Sequence, residues 1–277
     1  MTATTAYAQT VTADPTTRGG AGTVPDRRPT GFWADTLNVM TRELKPLWRE
    51  PLSVIFAMIQ PLVFLGLFAP LLPDLAAGGS ALQWFVPGIV TMTCLMGGSF
   101  TGSNLMEEMQ SGSHERQLVS PLGRPALLVG RALKEVVPML MQVAIILAVV
   151  TPFSFELHPL GVLAAVAMLA LFSVGIGALS FALALAAKGQ DWMFWTVQQT
   201  LLFPVLLTAG VLLPMSGAPR WLELLSSANP MTYVVDAVRM LFAGTWHADV
   251  LAQGLAGAGA VAAVGLVVGV RAMRRAD

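Results

Sequence analysis

Six stretches of this chain, at 53–72, 84–104, 136–155, 160–187, 192–213 and 250–270, run without a single charged side chain. A bilayer core about 30 Å thick is crossed by a helix of about 20 apolar residues, each rising 1.5 Å. Each stretch therefore predicts a transmembrane helix. A transmembrane barrel would instead need segments of about ten residues that alternate apolar with polar, and runs such as Ala-Ile-Ile-Leu-Ala-Val-Val at 144–150 do not alternate. A balance of 55% hydrophobic to 12% charged residues over 277 positions suits a chain whose solvent is mostly lipid. The expected fold class is all-α integral membrane, with six transmembrane helices.

Net charge is zero, so orientation has to be read from where the charges lie. With the N-terminus inside, fourteen of the sixteen Lys and Arg residues fall on the cytoplasmic side. These are six between Arg18 and Arg49, then Arg116, Arg124, Arg131 and Lys134, then Lys188, and last Arg271, Arg274 and Arg275. Only Arg220 and Arg239 fall outside. Six crossings return the C-terminus to the cytoplasm, so both termini are expected there.

Residues 1–31 are rich in Thr, Gly and Pro and have no apolar core. They are expected to form a disordered cytoplasmic tail, and they do not fit a signal peptide. Beyond them Trp33, Leu37, Met40, Leu44 and Leu47 recur at spacings of four and three, opposite Asp35, Asn38, Arg42, Lys45 and Arg49. That pattern predicts an amphipathic helix lying in the inner membrane surface. Cys94 is the only cysteine, which removes disulfides and cysteine-based metal sites.

Two segments outside the apolar stretches carry structure of their own. In the loop 106–124, Gly112 can break the helix that leaves the membrane, Ser113 can cap a short helix toward Val119, and Ser120-Pro121 ends it. Such a helix would offer Glu115 and Arg116 to the cytosol, and Leu118 and Pro121 to an apolar cleft of a partner. The outer segment 214–249 is interrupted by Pro214, Pro219 and Pro230, so its helices are too short to cross. One is expected at 221–225. A second has Asn229 as N-cap, Pro230 in first position and its end at Gly244. Asp236 and Arg239, three apart, can pair on it.

Small and polar residues inside apolar stretches are the remaining clues, because lipid-facing positions have no use for them. The second stretch has Gly97, Thr101 and Asn104 on one face, with Gly98 and Gly102 beside them. The fifth has Trp192, Trp195, Gln198, Gln199 and Phe203, then Pro204. Adjacent glutamines point about 100° apart on a helix, so at most one can face a pathway, and the other needs a partner in a neighbouring helix. Gly265 and Gly269 repeat the small-residue spacing in the last stretch. No catalytic constellation is present: His114, His158 and His247 lie in different loops. Asp, Glu and Lys are absent at membrane depth, where an ion-coupled secondary transporter usually carries a relay. A passive channel or scaffold subunit is compatible with composition but leaves the 106–124 loop unexplained.

The loop and the outer segment together resemble the ABC-2 type permeases, and in particular the daunorubicin-resistance branch of bacterial drug and lipid exporters. The loop of that family reads Glu, then Gly-Thr-x-Glu-x-Leu-x-x-x-Pro-Leu, and this chain places Glu107 and Glu108, Gly112, Glu115, Leu118, Pro121 and Leu122 in that order. Ser113-His114 replaces the Thr. Asn229-Pro230-Met231-Thr232-Tyr233, followed by Arg239, is similar to the family signature ahead of the last span. The resemblance covers 32–275 as one transmembrane domain. It implies a coupling helix that includes Gly112, His114, Glu115, Arg116, Leu118, Pro121 and Leu122 and docks on a separate ATPase. It further implies outer re-entrant helices carrying Asn229, Pro230, Tyr233, Asp236 and Arg239. Helices two and five would border a subunit interface, so that Gly97, Thr101, Asn104, Trp195, Gln198, Gln199 and Phe203 line the path of a hydrophobic or amphiphilic solute. The chain has no Gly-x-x-x-x-Gly-Lys-(Ser/Thr) loop. ATP and magnesium are then expected on two copies of the partner, beneath two permeases, either copies of this chain or this chain and a sister permease. The resemblance implies a multi-pass protein of the bacterial plasma membrane that exports drugs, antibiotics or lipids, with an ion-coupled secondary transporter as the alternative.

Overall fold

The computed structural model describes residues 40–41, 51–71, 81–111, 130, 133–134, 136–153, 155–213, 215 and 217–275. Regular structure among them is entirely helical: α1 (Pro51–Phe68) with a 3-10 turn at Ala69–Leu71, α2 (Ala81–Gln110), α3 (Val136–Val150), α4 (Pro159–Ala186), α5 (Asp191–Thr208), α6 (Arg220–Ala228), α7 (Pro230–Phe242) and α8 (Ala248–Arg275). Met40 and Thr41 are helical too; the rest of the expected tail and interfacial helix lies outside the described residues.

Each apolar stretch coincides with one helix, but the helices are unequal. Only α2, α4 and α8, of 30, 28 and 28 residues, are both long and apolar enough to cross a membrane, while α1 and α3 are shorter apolar helices. The third and fifth stretches over-run their helices for physical reasons. α3 ends at Thr151, whose amide and hydroxyl both reach the Leu147 carbonyl, at 2.9 and 2.6 Å, because Pro152 has no N–H with which to continue the ladder. The chain leaves α5 through Gly210, whose φ of 68° belongs to the left-handed region that glycine adopts freely.

The bundle centres on α4, which packs α2 on one side and α8 on the other. At the α4–α8 crossing the backbones touch. A Cβ on Gly175 would lie 2.6 Å from the Ala262 nitrogen, and one on Gly265 would run into the Gly175 carbonyl. In lipid, helices gain their association energy from this kind of close packing, because burial from water offers little. The short helix α7 sits among α2, α4 and α8 with Met231, Val234, Val235, Val238, Leu241 and Phe242 buried. By contrast α1 lies at the rim, turning Met58, Pro61 and Leu65 inward and leaving Phe56, Ile59, Val63 and Leu67 exposed.

The two ends of the bundle are tied differently. At one, the Gln83 amide donates to the Phe242 carbonyl at 2.8 Å and to the Glu156 carbonyl at 3.2 Å, joining the start of α2 to the end of α7. At the other, Gln110 donates to the Asp191 carboxylate at 2.6 Å, joining the end of α2 to the start of α5. Met273 packs there with Leu105, Phe181 and Phe194, and Lys188, Arg271, Arg274 and Arg275 are exposed around it.

Candidate functional site

The proline-interrupted segment around α6 and α7 forms a joint whose polar side chains each have a task. Asn229 accepts from the Met231 amide at 3.0 Å, which caps α7 as Pro230 opens it. Its own NH₂ donates to the Val205 carbonyl at 2.7 Å and to the Thr208 hydroxyl at 3.0 Å, so the same side chain latches α7 to the end of α5. Thr232 and Tyr233 donate to the Ser226 and Ser227 carbonyls, at 2.8 and 2.7 Å, which closes α6 onto α7. The run Asn-Pro-Met-Thr-Tyr is therefore a cap, a latch and a clasp in five consecutive positions.

Arg239, two turns on, reaches across the molecule. Its guanidinium donates to the carbonyls of Gly210 at 2.7 Å, Val211 at 3.2 Å and Trp84 at 3.3 Å, and lies 3.9 Å over the Trp84 ring. Asp236 is 3.8 Å away on the same helix, as its spacing predicts, with 56% of its side chain exposed. At that distance and exposure the pair is worth little; the carbonyls and the ring hold the cation. Burial draws the Arg239 guanidinium down to about 10, the Asp236 charge opposing the shift, so it remains a cation at neutral pH. Partial burial raises Asp236 while Arg239 lowers it. Gly88 makes the approach possible, since a Cβ there would stand 2.6 Å from the Val211 oxygen.

The residues expected to line a pathway are distributed over three surfaces. Gly97 and Asn104 border a groove of about 430 Å³ between α1, α2 and α3. Thr101 instead faces α4, where a Cβ on Gly177 would meet its hydroxyl at 2.9 Å; that hydroxyl is buried with no hydrogen-bond partner among the described residues. Positions 97 and 104 are about 20° apart around the helix and 101 is about 60° from 104, enough to turn it onto the neighbouring helix. On α5 the buried face is Phe194, Gln198, Leu202 and Leu206. The Ser180 hydroxyl shares its one proton between the Ser99 carbonyl at 2.5 Å and the Gln198 side-chain oxygen at 3.2 Å, and accepts from the Gly102 amide at 3.1 Å. Trp195 and Phe203 are 42% and 52% exposed, and Gln199 is exposed beside them. Among the described residues, the groove that Gly97 and Asn104 border takes in none of the α5 set. Gly112, His114, Glu115, Arg116, Leu118, Pro121 and Leu122 lie outside the described residues.

Comparison with known proteins agrees with this architecture: the profile described as ABC-2 type transporter matches residues 35–243. The chain belongs to the ABC-2 type transporter family. Among relatives of this ABC-2 chain, a daunorubicin resistance ABC transporter permease protein of Streptomyces coeruleorubidus is 26% identical over 214 residues, covering 76% of this chain and 75% of the relative. A putative transport permease of Cyanophora paradoxa is 29% identical over 219 residues, covering 76% and 75%. A probable doxorubicin resistance ABC transporter permease protein of Mycobacterium tuberculosis is 27% identical over 214 residues, covering 75% and 76%.

Sequence reasoning about this ABC-2 chain missed several residues of the joint and the groove. Trp84, Gly88 and Gly210 hold or admit Arg239, but nothing local to them signals a partner that far along the chain. Gln60 and Gln142 border the groove. They did have a signal, being lone amides in the first and third charge-free stretches.

Proposed function

We propose that this chain is the permease subunit of an ATP-driven exporter that moves a hydrophobic or amphiphilic drug, antibiotic or lipid out of a bacterial cell. The observation that carries the reading is the family match over 35–243, supported by relatives whose own names state daunorubicin and doxorubicin resistance. In this reading the six apolar stretches each cross the plasma membrane and both termini are cytoplasmic. The joint of α6 and α7 is the re-entrant cap on the outer side, and a second permease covers the exposed Trp195 and Phe203 face of α5. The segment from Gly112 to Leu122 is the coupling helix, received by a separate ATPase that binds ATP and magnesium in two copies. An external energy source is consistent with apolar stretches that carry no Asp, Glu or Lys at 84–104, 160–187 or 192–213; the outward direction follows from the family resemblance.

The test is to purify the chain with a candidate ATPase subunit from the same organism and measure hydrolysis in lipid against a panel of drugs and lipids. Stimulation by one class of compound supports the reading. Glu115→Lys and Leu118→Asp should then uncouple hydrolysis from transport at normal expression. Trp195→Ala and Phe203→Ala should lower drug-stimulated hydrolysis while basal hydrolysis persists. Transport driven by an imposed ion gradient without ATP would overturn the reading in favour of a secondary transporter.

A further inference from the structure

The groove between α1, α2 and α3 has the size of a small-molecule site, about 430 Å³ against roughly 300–1,000 Å³ for such sites in general. Its walls include Phe56, Met92, Met96 and Phe100, and no charged side chain among the described residues borders it. Three carboxamides do: Gln60, Asn104 and Gln142. None of the three has a hydrogen-bond partner among the described residues, and Gln142 is only 7% exposed. Gln60 and Gln142 stand at the middle of α1 and α3, where lipid would offer an amide nothing in return. Thr93 on the same wall shows the ordinary solution, its hydroxyl returning to the Ile89 carbonyl at 2.8 Å.

We propose that this groove binds a neutral amphiphile, an apolar chain or ring body bearing ester, amide or hydroxyl groups that exchange hydrogen bonds with Gln60, Asn104 and Gln142. Apolar walls select the body, and carboxamides with no charged partner among the described residues favour a neutral ligand over an ion, which would be desolvated without compensation. Amides both donate and accept, which suits esters and hydroxyls alike. As a station for cargo the groove rests on the export reading above; as a binding site it does not.

The test uses the full chain in phosphatidylcholine nanodiscs and a diacylglycerol with a diazirine in one acyl chain, with adducts located by mass spectrometry. Labelling near Phe56, Met96 and Phe100 should exceed that near Val264 and Val267, lipid-exposed on α8, by about tenfold. Gln142→Leu should reduce groove labelling about tenfold, the worth of one hydrogen bond, with an unchanged or raised unfolding temperature because an unpartnered amide has gone. Gly97→Leu, at a position where a Cβ meets nothing within 4 Å, fills the groove and should reduce labelling to the α8 level. Displacement by progesterone would extend the site to ring-bodied drugs, and failure to displace would assign it to lipid; either outcome keeps the chemistry. Uniform labelling of all helices, labelling unchanged in both variants, or a Gln142→Leu protein that loses labelling together with stability would overturn the proposal. The readout needs no ATPase. A labelled groove beside failed transport sinks the export reading alone, and intact transport beside uniform labelling sinks the site alone.

Discussion

Arg239 and Gln142 are both polar side chains placed among apolar ones, and the structure treats them in opposite ways. At the joint, Arg239 donates to three carbonyls from two other parts of the chain and covers an indole. In the groove, Gln142 meets no partner among the described residues. A satisfied polar group in a low-dielectric setting fixes geometry, because breaking it strands several atoms at once. An unpartnered one that is sealed in, such as the Thr101 hydroxyl against α4, only costs stability, whereas one that opens on a groove, as Gln142 does, is placed to meet something that is not part of the chain. The joint is therefore architecture, and the groove is a place for a ligand.

The largest effect that would break this contrast is at the joint. Arg239→Met should destabilise the protein by roughly 3 kcal/mol or more, since the carbonyls of Trp84, Gly210 and Val211 lose a shared charged donor. Arg239→Lys should restore only part of that, because an ammonium cannot reproduce the planar fork. Thermal unfolding in detergent, followed by tryptophan fluorescence, measures both. A loss below the scatter of surface mutations would mean the clasp is decorative.

Next in size is a pair five residues apart on α2. Gly102→Ala drives a Cβ into Ser180 and should cost about 1–3 kcal/mol. Gly97→Ala meets open space and should gain up to about 1 kcal/mol from helix propensity. Equal effects in the two would contradict the packed and open faces assigned to α2.

Smaller again, Asn229→Ala should cost roughly 1–2 kcal/mol, through the α7 cap and the latch to α5. Asn229→Asp separates the two roles, since a carboxylate still caps but cannot donate to Val205 or Thr208. Smallest is the glutamine pair of α5. Gln198→Leu should cost about 1 kcal/mol through its bond with Ser180, whereas Gln199→Ala should stay within about 0.5 kcal/mol in stability. A reversal of that order would move the buried face of α5 by one residue.

Much of the fold was legible because it is written locally. Charge-free runs marked where helices lie, and Asn229-Pro230 marked the start of α7 as a cap and a fixed φ always do. Helix ends were less legible: α3 and α5 stop before their apolar stretches do, at Thr151 ahead of Pro152 and ahead of Gly210, where a missing N–H and a left-handed glycine outweigh hydropathy. The lone amides in the first and third stretches were legible as residue types, but nothing in the sequence told Gln60 and Gln142, without partners among the described residues, from Gln198, which has one.

By itself the sequence determined the solvent of this protein, the positions of its helices and the residues able to cap and pair within one helix, since hydropathy and a period of 3.6 residues act over short distances. Only the tertiary structure decided which way each helix turns. Gly97 opens on a groove while Thr101, one turn later, is pressed against Gly177, and Arg239 finds Trp84 155 residues away rather than resting on Asp236. The reason is that rotation about a helix axis is set by the fit of neighbouring backbones, such as Gly175 against Gly265 and Gly88 against Val211, and that fit belongs to pairs of segments that no local pattern links.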